Sequence, residues 1–174
     1  MAMNCSTTRL PGYDKYVPGQ RDTLIPGLLG DGTTDVFVGF CAEAALGTAG
    51  YHDLQVIRMS DGLVLHNFMI DLGPGGGNSG HMSGRGYKKP GWILFSWYYD
   101  GSTSTGPGVF SLEINAINLD TGEVRRIVHD QSIGNTDYFA EPHATVNPSF
   151  NKIMWGSNWR TPRGEVDTYA VDLP

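Results

Sequence analysis

The chain has 174 residues, of which 24 are Gly and 10 are Pro. Turn-forming residues at about a fifth of the sequence exclude a helical bundle, and 40% hydrophobic and 11% aromatic content against 17% charged residues excludes a disordered chain. Twelve Lys and Arg face 18 Asp and Glu, a net charge of −6 with no basic stripe, which argues against a nucleic-acid partner.

In chain order, residues 1–33 show no regular period and read as irregular loop with one short strand. The first residues lack the apolar run of a signal peptide, and no segment approaches the roughly 18 apolar residues that span a bilayer, so the sequence reads as soluble, without a membrane partner. The compartment stays open, with an extracellular or periplasmic setting favoured. Cys5 and Cys41 are 36 positions apart and form no CxxC pair, which excludes a zinc ribbon or a thioredoxin-type motif. Whether they pair is not decided by spacing. Asn4-Cys5-Ser6 matches the glycosylation sequon.

TDVFVGF (Thr34–Phe40) reads as a strand, and LQVIRMSDGLVLHNFMI (Leu54–Ile70) as a hairpin turning at Ser60-Asp61-Gly62. The run from Gly73 to Gly80 is Gly-rich but lacks a following Lys-Ser/Thr and leads into a strand, so it reads as a connection and not as a phosphate loop. GHMSGRGYKKPGWILFSWYY (Gly80–Tyr99) leads through a Gly/Ser/Thr loop to a second hairpin that turns at Asp120-Thr121-Gly122. PHATVNPSFNKIMWGSNW (Pro142–Trp159) precedes a last alternating strand.

Gly80–Tyr99 and Pro142–Trp159 resemble each other. Each opens on His followed two residues later by Ser or Thr, passes a turn containing Lys and enters an apolar aromatic run. His81 to His143 is 62 positions, Ile93 to Ile153 is 60 and Ser96 to Ser157 is 61, which supports a repeat of about sixty residues. The units are about 34–70, 80–130 and 142–174. The first lacks a clear innermost strand and the last its outermost one. Four antiparallel strands in a meander make a propeller blade, so the reading is an all-β, β-propeller-like domain over 34–174 with about three blades, an incomplete ring. The alternative is a β-sandwich.

The segment His143-Ala-Thr-Val-Asn-Pro148-Ser-Phe-Asn-Lys152-Ile-Met-Trp155-Gly-Ser157, and more loosely His81 to Ser96, resembles the repeat of TolB-like β-propellers, with Ser-Phe-Asn where that repeat has Asp-Gly. Among these, the oligogalacturonate lyases look closest. They place His residues at the start of innermost strands in adjacent blades, where a divalent metal is held. The resemblance implies that His81, Glu141 and His143 are metal ligands. Tyr138 stands where that family has an amide ligand, and no His between Met1 and Tyr51 offers the expected base.

Two imidazoles and a carboxylate suit Mn, Fe or Zn. A lyase would use such an ion to neutralise a uronate carboxylate while a base removes the adjacent proton. Oligosaccharide is the expected partner, with Trp97, Trp159 and Arg160 as candidate sugar-contacting residues because aromatic faces stack on sugar C–H groups. The competing reading gives each His a strand-capping role and the aromatic rings a core role. A closed propeller needs at least four blades, so the chain either lacks blades of a longer protein or self-associates edge to edge into a ring or filament as a non-catalytic module.

Overall fold

The computed structural model describes residues 25–41, 51–71, 79–98, 110–132, 138–161 and 164–174. Residues 1–24, with Cys5 and the sequon, and the glycines at 73–77 lie outside the described residues, as does the side chain of Cys41. Eleven strands and a single 3-10 turn make up the described secondary structure, so the protein is all-β.

Strands β1 (Ile25–Leu28), β2 (Asp35–Cys41), β3 (Tyr51–Arg58) and β4 (Val64–Asp71) form the first sheet in that order. Strands β5 (Ser79–Ser83), β6 (Trp92–Tyr98), β7 (Glu113–Asn118) and β8 (Val124–His129) form the second, again in chain order. The third contains β9 (Thr145–Val146), β10 (Lys152–Ser157) and β11 (Asp167–Asp172). Every pairing is antiparallel. The described strands form three sheets rather than the two of a sandwich, and they do not close on themselves.

The first unit begins at Ile25, inside the segment expected to be irregular. The register Ile25↔Val38 to Leu28↔Asp35 joins the short strand expected in that segment to the first sheet as an edge strand. Pro26 and Gly27 interrupt the alternation by which a strand is recognised, yet both fit the edge of a sheet. Both expected hairpin turns are present, with Gly62 at φ 68° and Gly122 at φ 74°, backbone that glycine enters without a Cβ penalty.

The apolar runs reflect layering. In β6, Ile93, Phe95 and Trp97 point to one core with Val36, Val38, Leu54 and Val56 of the first sheet. Leu94 points the other way, to a core with Val146, Phe150, Ile153 and Trp155 of the third sheet. A strand covered on both faces has no solvent side, which explains the unbroken apolar sequence WILF. Strand β10 alternates instead: Ile153 and Trp155 are buried while Lys152 and Met154 are exposed. The second sheet is therefore the middle layer.

Candidate metal centre

The edges of the second and third sheets meet where β5 passes β9. Equivalent positions of the two repeats come side by side. Ser83 Oγ lies 3.3 Å from Thr145 Oγ1, and the rings of His81 and His143 stack at a centroid distance of 3.7 Å and 23°. Ser96 pins the two backbones together: its hydroxyl donates to the carbonyl of His81 at 3.3 Å and accepts the Ala144 amide at 3.2 Å. Gly80 makes the close approach feasible, because a Cβ there would overlap the Phe95 ring and the Ser96 carbonyl.

Glu141 completes the group. Its Oε2 lies 2.8 Å from His81 Nε2 and 3.8 Å from His143 Nε2. One donor atom from each of His81, Glu141 and His143 falls within 4.8 Å of the others. Glu141 is buried and the two imidazoles are partly open. His143 is held at φ 42°, in the left-handed region that costs a non-glycine residue energy, a form of strain that clusters at functional sites.

Burial, and then the adjacent His81, push the His143 imidazole below its ordinary pKa, with Glu141 opposing. A depressed value favours the neutral form, the one that can ligate a metal. The donor set fits a divalent ion: two nitrogens and a carboxylate oxygen converge from β5 and the segment before β9 and leave the open side free for further ligands.

That open side is a cleft of about 690 Å³, lined by Pro26 and Asp35 of the first sheet, His81 and His143, and Arg85 and Tyr87 beyond β5. Arg85, Tyr87, Ser96 and Thr145 were not singled out by sequence reasoning. The signal available for Thr145 was the His-x-Ser/Thr pattern itself, which places one hydroxyl beside each imidazole.

The three expected sugar-contacting residues separate. Trp97 is 0% exposed and packs against Phe95 and Phe110, so its ring serves the first core instead of a ligand surface. It faces inward because the middle layer is covered on both sides. Trp159 is 55% exposed and stacks on Tyr169 at 4.8 Å, which in turn stacks on Trp155 at 6.0 Å. Trp159 and Arg160 occupy consecutive left-handed conformations, φ 46° and 60°. They are held there by the Trp159 amide on Ser157 Oγ at 3.0 Å and the Arg160 amide on the Gln131 carbonyl at 2.8 Å. Of the remaining histidines, His66 stacks on Phe68 and His129 is exposed, 4.0 Å from Glu113. The side chains of His52 and Tyr138 lie outside the described residues.

No protein-family model and no curated protein matches the chain. The functional reading therefore rests on the geometry of the site.

Proposed function

We propose that this is a carbohydrate-directed protein of the TolB-like propeller type, in which His81, Glu141 and His143 hold a divalent metal, Mn, Fe or Zn, that receives a uronate carboxylate. The observation that carries this reading is the convergence of the three donor atoms within 4.8 Å at the mouth of an open cleft. The propeller assignment is supported by two features: four-stranded meanders in chain order, and equivalent His-x-Ser/Thr positions lying edge to edge between neighbouring sheets.

The bound ion would supply positive charge against the ligand's carboxylate. The chain's own residues do the rest. Ser96 fixes the spacing of the two imidazole-bearing segments, burial favours the neutral form of His143, and Arg85 adds a cation to the cleft wall. Trp159 and Arg160 offer a second contact of the kind sugars use, an exposed ring with a charged neighbour. A lyase-like reaction also needs a base for the proton next to the carboxylate. None is assigned, so metal-dependent uronide binding comes before lyase chemistry.

The test is metal analysis of the purified protein, followed by calorimetric titration with Mn²⁺ and Zn²⁺ and then with oligouronides. Wild type should bind the ion, and His81→Ala and His143→Ala should lose it together with oligouronide binding. A wild-type protein that takes up neither ion would sink the proposal.

A second reading, a self-assembling module, is favoured by one observation. Among the described residues the third sheet has three strands where the others have four, and Met154 on it and Val166 just before β11 are exposed. Light scattering decides it: a monodisperse monomer at high concentration removes this reading and leaves the first untouched.

A further inference from the structure

Glu141 lies outside the strands, in the segment that also carries His143 into β9. It follows the 3-10 turn Tyr138–Ala140 and precedes β9, so its place depends on what holds the peptides on either side. On the far side, the Pro142 carbonyl accepts the Gly156 amide from β10 at 2.9 Å. On the near side, the Ala140 carbonyl accepts the hydroxyl of Ser132, which is fully buried.

Ser132 is itself fixed by Asp130, whose Oδ1 accepts the Ser132 amide at 2.8 Å. Asp130 is anchored at the end of β8. Its amide donates to the Leu112 carbonyl at 2.9 Å, and its carbonyl accepts Trp155 Nε1 at 3.0 Å. A buried chain of hydrogen bonds thus runs from the second sheet to the peptide immediately before the ligand carboxylate. Asp130 Oδ2, also buried, has no hydrogen-bond partner among the described residues. A buried carboxylate oxygen left in this way is expensive unless the group has a task.

We propose that Asp130 and Ser132 are positioning residues for Glu141, and that the Asp130 carboxyl couples the grip on Glu141 to pH. This inference rests on the metal reading above. Partners that orient a ligand without touching the metal commonly change affinity by about 10–100-fold. Burial pushes the Asp130 carboxyl up to about 7. The Ser132 amide and Arg160 oppose the rise, and Glu113 adds to it. These charges come from separate elements: Arg160 from the β10–β11 loop, and Glu113 from β7, which pairs with Arg126 of β8 at 3.2 Å and has His129 at 4.0 Å. An ionised carboxylate accepts the Ser132 amide more strongly than a protonated one, so the clamp tightens as pH rises through that range.

The experiment uses the full chain with Ser132→Ala and Asp130→Asn. Mn²⁺ and Zn²⁺ affinity is measured at pH 6 and pH 8, and amide hydrogen exchange at Gly156 is measured in metal-free protein. Ser132→Ala should weaken metal binding by about 10–100-fold while the folded spectrum is retained. It should also speed Gly156 exchange without metal, because the segment bonded to that amide loosens. Asp130→Asn keeps the acceptor oxygen but cannot titrate, so it should retain affinity at pH 6 and gain less than wild type on going to pH 8.

Unchanged affinity and unchanged exchange in Ser132→Ala would overturn the positioning role. A wild-type pH gain in Asp130→Asn would overturn the coupling. If wild type binds neither ion, the metal reading fails on its own, and Gly156 exchange still decides whether Ser132 holds this segment.

Discussion

The two junctions that the middle sheet makes with its neighbours are alike in architecture and different in chemistry. Each has a fully apolar core, with Leu54 and Ile93 in the first and Leu94 and Ile153 in the second. Along the cleft, however, the first sheet contributes Pro26, Gly27 and Leu28 of β1 and Asp35 of β2, while β5 and the segment that leads through β9 each contribute a His and a hydroxyl. Only where both facing segments carry His-x-Ser/Thr do two imidazoles stack and a buried carboxylate join them. The repeat builds the same scaffold at each junction, and a few polar residues turn one junction into a candidate site.

The largest expected effects come from breaking the cores themselves. Leu54→Ala and Leu94→Ala, one in each junction and both fully buried, should each cost about 2–5 kcal/mol in urea denaturation. Only Leu94→Ala should also weaken metal binding, since its core lies beneath β9; equal effects of the two on binding would erase the distinction.

Removing a ligand comes next. His143→Ala should lower metal affinity by about 100-fold or more, beyond what an orienting partner contributes, with little change in melting temperature because the imidazole is half exposed. A large drop in stability would instead point to the strand-capping role.

Asp130 gives a smaller, pH-dependent effect. Its folded pKa stands above the ordinary value of 3.8, at about 7, so the native state holds the proton longer than the unfolded chain. Stability from this group is therefore lost as pH rises from about 4 to about 7. Asp130→Asn should raise the melting temperature more at pH 8 than at pH 5, and the opposite order would contradict the assignment.

The smallest effect belongs to the rim. Trp159→Ala should leave stability unchanged and weaken oligouronide binding by about 2–10-fold, as expected for the loss of one stacked ring. Binding identical to wild type would remove Trp159 from the ligand surface.

Much of the site was legible because it lies on the repeat. Equal spacing put His81 and His143 at matching points of neighbouring units, and the family resemblance added Glu141. Their meeting at Glu141 Oε2 is what the structure contributes. Trp97 and Trp159 show the limit of that reasoning. Both follow an apolar run, yet one is in the middle layer and the other beyond a strand with an open face, and composition carries no information on which layer a strand joins. The position of the short N-terminal strand was not legible because Pro26 and Gly27 break the period, although β1 pairs along its length with β2. Asp130 and Ser132 gave no signal, since beyond the local bond between them their partners Ala140, Leu112 and Trp155 lie across turns and sheets.

The sequence by itself determined the all-β class and the hairpins at Gly62 and Gly122, because strand alternation and turn chemistry are local properties of the chain. The tertiary structure alone decided that the sheets stack with the second in the middle, and that the junction of the second and third sets Glu141 against two stacked imidazoles. Those outcomes depend on which apolar faces bury each other, a choice made between segments far apart in the chain.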